Sequence, residues 1–158
     1  MIVWDTAFER VAAQYPDIET ESLLVDAACM DFVRRPEDFD VVVASNLFGD
    51  ILTDIGAIIT ESMGLAPSGN IDPQRRFPSM FEPVHGSAPD IVGQDIANPL
   101  AAIISGAMML RFIGEVKAAE TIDAAVLKVV EEGKTLPPDL GGQAKTSQVG
   151  DAVVNVLC

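Results

Sequence analysis

The chain has 158 residues, a formal net charge of −14 and an apolar content of 49%, with 12 glycines outside that count. This length carries one domain with a core of its own, and the acidic balance excludes nucleic acid and anionic membranes as partners, because both require basic patches. Apolar residues and glycine together exceed the usual share of about 45–50%, which predicts apolar surface meant for a partner or for further chain.

The N-terminus, Met1-Ile2-Val3-Trp4-Asp5, has no basic stretch leading into an apolar one, so no signal peptide is expected. Phe8, Val11 and Ala12 mark a short helical face that Tyr15-Pro16-Asp17 ends. Ser22 to Val25 is a short apolar run that predicts a strand ending at Asp26. Ala27 to Val33 predicts a helix, stopped by Arg34-Arg35-Pro36. Cys29 lies in that run and is expected as a buried thiol. With Cys158 it makes no disulfide framework, and a reducing cytoplasm is the simple expectation. Asp40 to Ala44 reads Asp-Val-Val-Val-Ala, a β-branched run that predicts a strand covered on both faces.

The next helix is expected over roughly Gly49 to Met63. Ile51, Leu52, Ile55, Ile58 and Ile59 follow the helical period, with Asp50, Asp54 and Glu61 on the adjoining stripe. Strand followed by helix is the unit of an α/β protein, which binds ligands at strand C-termini. Residues 64–78 carry Pro67, Pro73, Pro78, Gly64 and Gly69 and predict a loop where the chain crosses between domains. Met80 to Val84 predicts a short strand and His85 to Asn98 a loop. Asn98-Pro99 suits a helix start, Asn as cap and Pro at the first helical position. The apolar stretch Ile96 to Ile113 is broken by Asn98, Pro99 and Arg111, which predicts a buried helix ending at Gly114 rather than a membrane span. Val116 to Glu132 predicts a second helix stopped by Gly133. Pro137 to Gly142 predicts a loop. Thr146 to Leu157 predicts a terminal helix with Val149, Ala152, Val153 and Val156 inward. No internal repeat or low-complexity tract is present.

Asp50 and Asp54, four residues apart, share one helix face. Two like charges there repel unless a cation lies between them, and hard oxygen donors suit Mg²⁺ or Mn²⁺. The alternative is a solvated acidic face near a helix N-terminus, where the helix dipole favours carboxylates; spacing alone favours that alternative. The only histidine, His85, lies in Glu82-Pro83-Val84-His85-Gly86-Ser87-Ala88-Pro89-Asp90. A lone histidine is more often a packing or surface residue.

Context changes both weightings. Ser45-Asn46-Leu47-Phe48-Gly49-Asp50-Ile51-Leu52-Thr53-Asp54 resembles the metal helix of the metal-dependent β-decarboxylating dehydrogenases, the family of isopropylmalate, isocitrate, D-malate and tartrate dehydrogenases. His85-Gly86-Ser87-Ala88-Pro89-Asp90-Ile91 is similar to the loop those enzymes wrap around the adenine end of NAD. The resemblance implies an α/β, isocitrate/isopropylmalate dehydrogenase-like fold, incomplete here because only the C-terminal half of the family is matched. It implies a third metal ligand at Asp26, contributed across a dimer. It implies that His85 packs on adenine, that Gly86, Ser87 and Ala88 meet phosphate or ribose, and that Asp90 reads the ribose hydroxyls and so favours NAD over NADP. Asn98 matches an adenine contact and Glu82 a further loop member. There is no GxGxxG, so the site is not of the Rossmann type.

The resemblance further implies NAD and Mg²⁺ or Mn²⁺ as cofactors, with K⁺ as an optional further ion, and a small 2-hydroxy diacid as substrate. Residues around Gly64 to Ser68 and Phe77 to Phe81 resemble the D-malate/tartrate branch. Catalysis in the family also uses an upstream lysine, tyrosine and arginines, and Tyr15, Arg75, Arg76 and the four lysines here match none of them. Residues 1–62 are therefore expected as part of the smaller substrate and dimerisation domain, and 63–158 as the C-terminal part of the NAD domain. Three readings follow: the C-terminal half of a dehydrogenase whose metal site takes Asp26 from a partner, a module that dimerises or pairs with a separate N-terminal half and holds NAD or metal without turnover, or an acidic α/β domain with no ligand.

Overall fold

The computed structural model describes residues 2–60 and 62–158. Its core forms where three C-terminal helices meet. Helix α4 (Leu100–Ile113) packs on α5 (Val116–Glu132), and α5 packs on α6 (Thr146–Leu157). Leu100, Ala125, Val126, Val129, Val149 and Val153 are buried together, with Ile103, Ile104, Ile122, Ala152 and Val156 packed around them. The inward set expected for α6 is thus observed. The helix ends follow local chemistry. Gly114 adopts φ 104, and Glu115 N–H and Gly114 N–H bond back to the carbonyls of Leu110 and Arg111, the paired closure that a left-handed glycine permits. Gly133, φ 66, closes α5.

At the other end of α4 the chain starts as expected. Asn98 Oδ1 accepts from Leu100 N–H at 2.9 Å, with Pro99 already helical at φ −87, ψ −5. A two-stranded antiparallel sheet lies against α4. Strand β1 (Pro67–Asn70) pairs with β2 (Met80–Pro83), Ser68 opposite Glu82. The approach is close: a Cβ on Gly69 would lie 3.2 Å from Phe81 and 3.3 Å from the Met108 sulfur. Residues 64–78 were expected as loop throughout, so β1 is a correction. Pro-Ser-Gly-Asn has no strand propensity; β2 makes it a strand. The connecting loop is organised by Asp72, whose carboxylate accepts from the amides of Gln74, Arg76 and Phe77. Arg75 does not remain a free surface charge. Its guanidinium lies 4.9 Å from the Phe112 ring centroid and donates to the Phe112 carbonyl, a cation at the C-terminal end of a helix dipole.

The N-terminal part is more open. Helix α2 (Val25–Arg34) packs on α3 (Asn46–Ile59); Ala28 is buried on α2, and Leu52 and Ala57 are buried on α3. Helix α1 (Ile2–Ala12) buries no residue. Two expected strands are not formed. Leu24 is extended, but α2 begins at Val25, so the run from Ser22 is a helix lead-in. Asp40 to Ala44 has no regular structure, and Val41 and Val43 are 85% and 76% exposed. A strand needs a neighbour to satisfy its amides, and none lies beside this run among the described residues. Helix α3 ends four residues before the expected Met63, and Glu61 lies outside the described residues. Cys29 is only partly buried, and both cysteines are free thiols. No described helix is long and apolar enough to cross a membrane. The total accessible surface is 11069 Å², whereas a compact monomer of this mass exposes about 7,600 Å². The expected apolar excess is therefore visible as uncovered surface.

Candidate functional site

Asp50 and Asp54 stand one turn apart on α3, both exposed. Ser45, extended at φ −68, ψ 161, starts the helix, and its carbonyl takes the Gly49 amide at 2.7 Å. Leu52, on the same helix, is buried, whereas both aspartates stay exposed. Asn46 Nδ2 donates to Asp50 Oδ2 at 3.1 Å and fixes that carboxylate toward the helix start. Among the described residues no Lys or Arg pairs with Asp26, Asp50 or Asp54. Two carboxylates at this spacing without a cationic partner are a donor set that fits a hard divalent cation.

Asp26 lies in the first turn of α2, exposed, with its Oδ1 accepting from the Ala27 amide at 2.9 Å. Among the described residues, no three His, Cys, Asp or Glu gather at one point. A single chain therefore offers Asp50 and Asp54 as a pair and leaves Asp26 on a separate helix.

The second constellation leaves β2. Glu82 is exposed on the strand and His85 half-buried just beyond it, with His85 Nδ1 3.0 Å from the Gly86 carbonyl. Gly86, Ser87, Ala88 and Asp90 are all exposed. Nothing lies within 4 Å of where a Gly86 Cβ would stand, so a ligand can reach the backbone there. Ala88 holds φ 42, a left-handed conformation rare for a residue with a Cβ. The loop is pinned within itself by Ile91 N–H to the Ala88 carbonyl at 3.0 Å and by Gln94 Nε2 to the Asp90 carbonyl at 2.7 Å. Among the described residues nothing bonds the Asp90 carboxylate, which can therefore meet a ligand. An exposed loop with an open approach at glycine and an exposed acidic residue fits the ribose and phosphates of a dinucleotide.

Asn98 sits apart from the loop tip, at the start of α4. While its Oδ1 caps that helix, its Nδ2 donates to Asp139 Oδ2 at 2.9 Å. The same carboxylate oxygen accepts from the buried Ser62 hydroxyl, and Ser62 Oγ accepts from Gly64 N–H at 2.9 Å. Asp139 thus joins the segment after α3 to the first turn of α4. Sequence reasoning missed it. An Asp in a Pro-Pro-Asp-Leu-Gly-Gly turn ordinarily bonds its own neighbours, whereas its partners here lie 41 and 77 residues away.

Against known proteins, a family model described as isocitrate/isopropylmalate dehydrogenase matches residues 1–153. The chain is 50% identical over 162 residues to D-malate dehydrogenase [decarboxylating] of Escherichia coli (strain K12), covering 99% of this chain and 45% of that protein. It is 53% identical over 152 residues to 3-isopropylmalate dehydrogenase of Corynebacterium jeikeium (strain K411), covering 96% and 43%. The crystal structure of isocitrate dehydrogenase from Methylococcus capsulatus superposes with a TM-score of 0.89 at 45% identity, over 94% of this chain and 44% of that one. The chain spans less than half the length of the relatives it matches.

Proposed function

Because the chain belongs to the isocitrate/isopropylmalate dehydrogenase family, we propose that it supplies the metal pair and the NAD loop of an oxidative decarboxylase acting on a 2-hydroxy diacid of the D-malate/tartrate type. The observation that carries this reading is the pairing of two uncompensated carboxylates on α3 with an open, self-pinned loop after β2 in one chain. Asp50 and Asp54, with Asp26 of a second copy, hold Mg²⁺ or Mn²⁺. Glu82, His85, Gly86, Ser87, Ala88, Asp90 and Asn98 hold NAD. When bound, the divalent ion supplies Lewis-acid polarisation of a substrate oxygen and NAD supplies a hydride acceptor.

This chain's residues bind and orient. Asn46 aims the Asp50 carboxylate. Asp90 accepts from the ribose hydroxyls and repels a 2′-phosphate, by the charge logic of dinucleotide sites generally. Residues 1–62 form part of the substrate and dimerisation domain and 63–158 part of the NAD domain, in a reducing cytoplasm. Proton transfer and carboxylate clamping are assigned to groups outside this chain. The 50% and 53% identities to D-malate and isopropylmalate enzymes lie too close together to choose the substrate, so the D-malate/tartrate choice rests on the stretches around Gly64–Ser68 and Phe77–Phe81.

A second reading keeps both ligands and drops turnover: the chain binds NAD and metal, or pairs with an N-terminal half, without catalysis alone. The uncovered Val41–Val43 run favours it. Calorimetry with Mn²⁺ and with NAD tests what the two readings share. Saturable binding of Mn²⁺ weakened by Asp50→Asn, and of NAD weakened by Asp90→Ala, is expected; heats unchanged by either substitution overturn both. NADH formation from D-malate, tartrate and isopropylmalate in turn, with Mn²⁺ and K⁺, then separates the readings.

A further inference from the structure

The loop that carries His85 to Asp90 is held at two ends and touches little between them. At its start, Val84 N–H bonds to the Ala66 carbonyl at 3.0 Å, continuing the β1–β2 ladder. At its end, Asp95 meets the first turn of α6. Asp95 Oδ1 accepts from Ser147 N–H at 3.1 Å and its Oδ2 from the Ser147 hydroxyl at 2.8 Å. The Asp95 carbonyl accepts from Thr146 N–H at 2.9 Å, and the Thr146 hydroxyl donates to the Ala97 carbonyl at 2.5 Å. These bonds span about fifty positions of sequence; Asp95 and Ser147 are 52 apart.

Two features show that Asp95 does more than fill a turn. Its φ is 57, where glycine would be free of strain, yet a carboxylate stands there. Helix α6 also has only half a cap of its own: Gln148 Oε1 accepts from the Lys145 N–H at 2.9 Å, but the N-cap residue is Lys145, whose ammonium cannot accept from the first-turn amides. Asp95 supplies the missing acceptor from another part of the chain, with a negative charge where the helix dipole favours one.

We propose that Asp95 is a positioning residue for the cofactor loop: by capping α6 from outside, it fixes the far end of the loop and so pre-orders Gly86 to Asp90 for the dinucleotide. The proposal rests on the reading of that loop as the NAD site. Fixing an end before binding removes ordering cost from the binding step.

The test separates helix capping from loop anchoring. Asp95→Gly removes the acceptor while tolerating the backbone. Adding Lys145→Ser gives α6 a local cap, since Lys145 already has the extended backbone of a cap residue at φ −75, ψ 155. Asp95→Gly alone is expected to lower both thermal stability and NAD affinity. In the double variant stability returns, the Ser87 and Asp90 amides gain motion by ¹⁵N relaxation, and NAD affinity stays about tenfold down. Affinity that returns with stability overturns the proposal and leaves Asp95 as a helix cap. Unchanged amide motion overturns it as well. If the unaltered chain gives no NAD heat while the amides still loosen in the double variant, the NAD reading of the loop is what fails.

Discussion

Gly64→Ala tests whether the Ser62–Asp139–Asn98 junction holds the two parts of the chain together. A Cβ at Gly64 would stand 2.6 Å from Asn98 Nδ2, 2.6 Å from Asp139 Oδ2 and 2.7 Å from Asn98 Cβ. Real carbons do not approach so near, so Asn98 or Asp139 must move. Overpacking of this kind costs about 1–3 kcal/mol. Displacing Asn98 also weakens the cap on α4, worth about 1 kcal/mol. Against this, Ala restricts the unfolded chain and returns about 0.4–1 kcal/mol. The balance is a loss of about 2 kcal/mol, or about 4–8 °C in melting temperature for a domain of this size. Gly106→Ala is the matched control. Gly106 lies inside α4 with nothing within 4 Å of a new Cβ, so there the same change should stabilise by about 0.5–1 kcal/mol. Thermal melts followed by circular dichroism at 222 nm give both values. A Gly64→Ala protein that melts at or above the parent temperature would refute the junction.

Leu100 is fully buried in the three-helix core, so Leu100→Ala should cost about 2–5 kcal/mol in a urea titration, while Val41→Ser, at an 85% exposed position, should leave the midpoint in place. The Asp31 carboxyl is held below its ordinary 3.8, first by the hydrogen bond from Arg35 and then by that group's charge. Its folded value lies below its unfolded one, so the contribution is present above 3.8 and is lost as pH falls through the depressed folded value. NMR titration of the Asp31 side-chain carbon should show a midpoint below 3.8 that rises in Arg35→Gln; equal midpoints count against the pair. On the proposed function, NADH should form from a 2-hydroxy diacid only when a second chain that brings a lysine, a tyrosine and arginines for proton transfer and carboxylate clamping is added; turnover by this chain alone would mean that other groups do that work.

What could be read from sequence was what neighbours in sequence decide. Helices α4, α5 and α6 are bounded by Asn98-Pro99, Gly114 and Gly133 and by periodic valines, all local signals, and they form where expected. The pairing of Asp50 with Asp54 is likewise local, a consequence of helix pitch. Elements that depend on distant partners were not legible. Pro67 to Asn70 becomes a strand only because Met80 to Pro83 lies beside it. Asp40 to Ala44 carries strand-forming residues but, among the described residues, has no neighbour to bond. The roles of Asp95 and Asp139 are invisible locally, since each acts on groups tens of residues away. The resemblance singled out the loop from His85 to Asp90, but nothing in its residues told how its far end is held.

The bare Val41–Val43 run has a consequence for handling the protein. Three consecutive β-branched residues, free of proline and charge and with amides and carbonyls unbonded among the described residues, offer an edge that another copy can extend. Asp40 on one side and Ser45 on the other are the polar brakes on that growth. Fibre formation from this segment should rise steeply with concentration and fall when any complementary strand is supplied, so a short peptide that suppresses it would report the sequence that belongs beside it.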